Sequence, residues 1–251
     1  MAEPLLRVER LHKYFGGVLA TNRVDLSVTA GEVHALIGPN GAGKTTLIHQ
    51  LSGALKPDGG NIFFDGRDVA GLSLHERVRL GVARSYQITS IFRGANVLHN
   101  IALAVLARRG SSLRFWQPLT RERSLFEEAR ALAAEVGLSG REQIVAGTLA
   151  HGEQRQLEVG LALATGARLL LLDEPLAGLG AEESQRVVAL IAALKGARTV
   201  LLVEHDMDAV FRLADRVSVL DSGRIIATGE PQSIRDHAQV KRAYLGEDLA
   251  A

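Results

Sequence analysis

Glu32-Val33-His34-Ala35-Leu36-Ile37-Gly38-Pro39-Asn40-Gly41-Ala42-Gly43-Lys44-Thr45-Thr46 decides the fold. Glu32–Ile37 is almost continuously apolar, which suits a strand buried on both faces. It runs straight into a glycine-rich turn, and Thr45–Leu51 then reads as a helix. Gly38 to Thr45 fits the phosphate-loop pattern. Glycines let backbone N–H groups wrap closely around anionic oxygens, and the helix that follows directs its positive N-terminus at the same charge. Lys44 is expected to reach β- and γ-phosphates, Thr45 to offer its hydroxyl to Mg²⁺, and Thr46 to touch an α-phosphate.

Outward from this stretch, the order of elements predicts an α/β fold. Leu6, Val8 and, less cleanly, Leu11 give one apolar edge, while Val24, Leu26 and Val28 alternate with polar neighbours as a half-buried strand does. Asn61–Phe64 reads as a strand closed by an Asp65-Gly66 turn. From about Val97 to Val136 the pattern turns helical, with Leu125, Ala129, Leu132, Ala133 and Val136 on one face. Between the helices lies a basic insert with Arg108, Arg109, Arg114, Arg121, Arg123 and the sole tryptophan, Trp116; a solvated face is the preferred reading over a lipid or protein contact. Strand and helix then alternate through Arg168–Asp173, Ala181–Leu194, Thr199–Val203, Met207–Leu213 and Arg216–Leu220, which implies a largely parallel sheet covered by helices.

Composition narrows the class. The 251 residues carry a formal net charge of +1 and no cysteine, so neither a nucleic-acid footprint nor a disulfide scaffold is expected. No apolar run approaches the ~20 residues of a membrane span, and Met1-Ala2-Glu3-Pro4 does not start like a signal peptide. Any work at a membrane therefore needs a membrane-spanning partner.

A second acidic motif closes the chemistry. Leu169-Leu170-Leu171-Leu172-Asp173-Glu174-Pro175 is an apolar strand ending in two acids. Asp173 is expected in the Mg²⁺ shell and Glu174 as the general base that polarises a water.

With Gln87, Leu149–Gln156 and His205 in the same order along the chain, these motifs resemble those of the ATPase subunits of ABC transporters, from about Leu6 to Leu245. The resemblance implies one cassette over 1–251: a RecA-like α/β core (about 1–90 and 160–251), an N-terminal antiparallel β-subdomain and an inserted α-helical subdomain (about 91–159). It makes Phe15 the aromatic that stacks on adenine, with Tyr14 as its neighbouring rival. It makes Gln87 the residue that senses Mg²⁺ and water, and His205 the contact to the γ-phosphate. Leu149-Ala150-His151-Gly152-Glu153-Gln154 resembles the signature, whose Ala150, Gly152 and Glu153 cap ATP on an opposite subunit. A second ATPase is thus implied, preferably a different chain, with a homodimer as the alternative. Two positions depart from the family pattern: Ala150 replaces a serine and Gly180 an aspartate.

The finer resemblance is to branched-chain amino acid importer ATPases. It is carried by Ala83-Arg84-Ser85-Tyr86-Gln87, His151–Glu158, Ala177-Gly178, Val203-Glu204-His205-Asp206-Met207 and Ala243-Tyr244-Leu245-Gly246-Glu247. It implies ATP and Mg²⁺, separate transmembrane permeases docking near Gln87, an extracytoplasmic binding protein, and a peripheral place on the cytoplasmic face of the cell membrane. Urea or amide import, lipopolysaccharide export and a soluble non-transport ABC ATPase are the alternatives.

Overall fold

The computed structural model describes residues 3–84, 91–110 and 123–243. In chain order the elements are β1 (Leu6–Phe15), β2 (Val18–Val28), β3 (Val33–Ile37), α1 (Lys44–Ser52), β4 (Gly59–Phe64), β5 (Arg67–Asp68), α2 (Leu74–Leu80), β6 (Val82–Arg84), α3 (Val97–Arg108), α4 (Arg123–Glu135), α5 (His151–Ala164), β7 (Leu169–Asp173), α6 (Ala181–Leu194), β8 (Thr199–Val203), α7 (Met207–Leu213), β9 (Arg216–Asp221), β10 (Arg224–Gly229), α8 (Pro231–Asp236) and α9 (Ala238–Ala243).

Two sheets organise the chain. The larger runs β10-β9-β3-β8-β7-β6, parallel except for β10, and the smaller runs β2-β1-β4-β5 and is antiparallel. Because side chains alternate across a strand, each buried strand feeds two cores. Leu170, Leu172, Val200 and Leu202 face the helices α3, α4, α5 and α6. Leu169, Leu171, Leu201 and Val203 face α1 and the antiparallel sheet. This double burial is why the strands read as unbroken apolar runs.

The blurred period of β1 has a local cause. Arg10 adopts φ 45°, and the β1–β2 register shifts between Val8 and Leu11. The bulge moves Leu11 into phase with Leu6 and Val8, so all three are buried. Asp25 Oδ1 accepts the Arg10 N–H at 2.8 Å and holds the bulge.

In the helical part, Leu125, Ala129, Ala133 and Val136 are fully buried and Leu132 packs at the margin of the same cluster. The described arginines of the basic insert meet acids. Arg108 and Arg109 both pair with Glu128, the latter at 2.7 Å, and Arg123 pairs with Glu127 at 3.0 Å. Arg114, Trp116 and Arg121 lie outside the described residues. None of the described helices is long and apolar enough to cross a membrane.

Candidate active site

The turn between β3 and α1 needs its glycines for space as well as for conformation. A Cβ on Gly38 would lie 2.0 Å from the Leu220 carbonyl oxygen, and one on Gly43 would lie 2.2 Å from that of Ala20. Both residues, and Gly41, hold positive φ. The Gly223 N–H donates to the Ala42 carbonyl at 2.9 Å, so the β9–β10 turn is fastened to the loop. A cavity of about 470 Å³ opens here, lined among others by Asn40, Gly41, Lys44, Thr45, Thr46 and Glu174. Val18, Leu19, Ala20, Ser222 and Gly223 complete its wall; sequence reasoning missed these, because most contribute through proximity of backbone rather than through a motif.

Lys44 Nζ donates to the Gly38 and Pro39 carbonyls at 2.6 and 3.0 Å, which aligns the ammonium along the loop. Burial lowers its pKa from the ordinary lysine value, while Glu174 and Asp173 oppose that shift.

Asp173 ends β7 at 2% exposure. Its Oδ2 accepts from Arg84 Nη2 at 3.0 Å, across adjacent strands. Sequence reasoning quoted Arg84 without a role; the parallel pairing of β6 with β7 is what brings it to the acid. Glu174 follows at φ 49°, a left-handed conformation for a side chain with a Cβ. Such strain costs on the order of 1–3 kcal/mol; the Glu174 N–H, donating to the Val203 carbonyl at 2.8 Å, helps hold it. His205 is exposed just past β8, and Glu204 before it is buried. Phe15 is half exposed at the end of β1, as is Tyr14, with Lys13 Nζ 5.8 Å from the centre of the Phe15 ring. Gln87 lies outside the described residues.

The signature residues stand apart from the cavity lining, at the start of α5. Ala150 is the helix N-cap and offers no side-chain acceptor. Glu153 Oε2 accepts the Ala150 N–H at 3.2 Å, half of a capping box. The missing acceptor comes from another helix: Glu183 Oε1 accepts the Gly152 N–H at 3.1 Å and its Oε2 accepts the Gly180 N–H at 3.2 Å. One carboxylate thus serves the N-termini of α5 and α6, whose N-caps, Ala150 and Gly180, lack acceptors of their own. Those two N–H groups, Gly152 first, hold the Glu183 carboxyl below the usual range. A Cβ on Gly152 would lie 2.8 Å from that of Glu183, so this contact requires glycine.

The opening is thus lined by loop glycines, an ammonium, two hydroxyls and the Glu174 carboxylate, while Asp173 lies buried one residue earlier at the end of β7. The oxygen donors available from Thr45 and Asp173 are of the hard type that suits Mg²⁺.

The model of the ABC transporter family matches residues 21–177, and that described as branched-chain amino acid ATP-binding cassette transporter matches 224–250. The chain is 41% identical to the high-affinity branched-chain amino acid transport ATP-binding protein BraF of Pseudomonas aeruginosa, over 98% of this chain and all of that one. It is 39% identical to LivG of Escherichia coli, a protein of the same description, with the same coverage. Among solved structures it resembles the ADP conformation of an ATP-binding cassette of an ABC transporter, with TM-score 0.84 and 30% identity, over 98% of this chain and 100% of the other. The chain is therefore an ATPase of the ABC transporter family and belongs with its branched-chain amino acid transport ATP-binding proteins.

Proposed function

We propose that this chain energises import of branched-chain amino acids through separate transmembrane permeases, bound peripherally at the cytoplasmic face of the cell membrane. The observation that carries the reading is full-length similarity to BraF and LivG together with one cavity lined by Lys44, Thr45 and Glu174.

In this reading the loop Gly38–Thr45 binds the triphosphate through its N–H groups and Lys44, with Thr46 beside the α-phosphate and Phe15 against adenine. Thr45 and Asp173, with Gln87, hold Mg²⁺. The ion, when bound, neutralises phosphate charge. Glu174 takes a proton from the attacking water, and His205 holds the γ-phosphate. Ala150, Gly152 and Glu153 face nucleotide on a second ATPase subunit, by preference a different chain.

A groove between α2, α3 and α5 fits permease docking. It measures about 570 Å³ and is lined by Leu74, Val78, Phe92, Leu103, Ala104 and Leu161, among others. Phe92 is a large apolar side chain at 62% exposure.

Uptake tests the reading. A strain lacking this gene is expected to lose high-affinity uptake of labelled leucine, isoleucine and valine. The wild-type gene restores it and Lys44→Ala does not. Normal branched-chain uptake in the deletion strain, with loss of urea or amide uptake instead, contradicts the substrate assignment.

Ala150→Ser is expected to raise ATP turnover of the assembled transporter several-fold. A serine hydroxyl restores an N-cap worth ~1 kcal/mol and adds a hydrogen bond to a charged phosphate, worth about 1.5–3 kcal/mol. Steady-state phosphate release measures it; equal or lower turnover contradicts the prediction.

A further inference from the structure

We infer that Glu204 is a positioning residue: its carboxylate ties the loop that carries Glu174 to the loop that carries His205 and fixes the two side chains relative to each other. The inference rests on the roles proposed above for Glu174 and His205.

Strands β7 and β8 pair in parallel as far as Asp173 and Val203. Past that point both chains leave the sheet, and each delivers its reactive side chain from a loop. Glu204 is the first residue beyond β8, and it turns inward to 1% exposure. Its Oε1 accepts the Leu176 N–H at 2.8 Å. Its Oε2 accepts the His205 N–H at 3.1 Å. Leu176 is two residues past Glu174, and His205 is the adjacent residue, so one side chain grips both loops.

A carboxylate suits this task because it presents two acceptors and no donor. Burial raises the Glu204 pKa above the usual carboxylate value, and the Leu176 and His205 N–H groups oppose that rise. Glutamine keeps one acceptor but aims its NH₂ at the second N–H. Alanine removes both links.

The expected signature is kinetic. Glu204 is not among the residues lining the nucleotide cavity, so nucleotide binding should survive its loss. Chemistry should not, since misplacing a reacting group by about 1 Å can cost ~10²-fold in rate. In the full chain, Glu204→Gln is expected to lower kcat for ATP about 10-fold and Glu204→Ala about 100-fold, with KM within about 2-fold of wild type. Thermal melting of each variant and binding of a fluorescent ATP analogue separate this from loss of fold. If Glu204→Ala does not fold, Glu204→Gln decides. Wild-type kcat in Glu204→Gln, or a loss matched by the fraction unfolded, overturns the positioning role. Lys44→Ala and Glu174→Gln run beside these variants. If both keep wild-type turnover, the site assignment itself falls and the positioning role falls with it; if both lose turnover while the Glu204 variants keep it, only the positioning role falls.

Discussion

Glu174→Gln is expected to lower kcat for ATP hydrolysis by roughly 10²–10⁴-fold, the range lost with a general base, while nucleotide affinity stays within a few-fold. Glutamine preserves shape and hydrogen bonding but cannot take a proton from water. Glu174 borders the cavity formed by the phosphate loop and is held there at φ 49°, so the backbone aims the side chain before nucleotide arrives. The Glu174 N–H bond to the Val203 carbonyl involves only main chain and survives the substitution. Phosphate release measures the loss, and fluorescent-nucleotide titration measures affinity. Turnover above a tenth of wild type contradicts Glu174 as the base.

Arg77→Met is expected to destabilise the fold by about 3–5 kcal/mol, the scale of breaking a buried polar network. For a chain of this size that lowers Tm by roughly 10 °C. Arg77 has no exposed surface. Its guanidinium donates to the carbonyls of Gln50 and Leu51 at 2.6 and 2.8 Å and to those of Ala70 and Leu72 at 3.1 Å. Two of these acceptors end α1, where a cation also meets the negative end of the helix dipole. The helix that begins in the phosphate loop is therefore anchored at its far end by α2. Burial pushes the Arg77 pKa down to about 10, with Asp68 opposing, which still leaves the side chain charged at neutral pH. Methionine fills the stem's volume but removes the guanidinium from the Leu51, Ala70 and Leu72 carbonyls and leaves that of Gln50 with only the Gly53 N–H at 3.3 Å. Lysine, a point charge without the planar fork, should recover less than half of the loss. Circular-dichroism melting decides; a Tm for Arg77→Met within 2 °C of wild type, or about 1 kcal/mol, contradicts the anchor.

Arg77 also marks where reading the sequence stops. Leu74–Leu80 was assigned no element from sequence and is α2 in the structure, and nothing local says that carbonyls from two other segments will surround Arg77. Glu183 and Glu204 are similar: each has a partner 31 or 28 residues away, brought near only by the packing of α5 on α6 and the pairing of β7 with β8. The phosphate loop and the strand ending in Asp173-Glu174 were legible because their chemistry sits in consecutive residues and their strands are apolar on both faces. Leu11 was read as a weak edge because a bulge at Arg10 changes the period for one residue. The β10 strand was not read at all, since it lies at the edge of the sheet, half exposed, and carries no buried alternation. Ala150 and Gly180 were recognised as departures from the family pattern; that the Glu183 carboxylate takes the Gly152 N–H beside Ala150 as well as the Gly180 N–H was visible only in three dimensions.

The measurement that tests the central claim most directly is purification of the chain carrying Glu174→Gln from native membranes in the presence of ATP, followed by mass spectrometry of what comes with it. A base-deficient ATPase should hold the closed, nucleotide-bound complex. The expected result is two permeases of the branched-chain amino acid type together with a second ATPase. Recovery of lipid-export permeases, of ribosomes or DNA proteins, or of no membrane protein would contradict the assignment to branched-chain amino acid import.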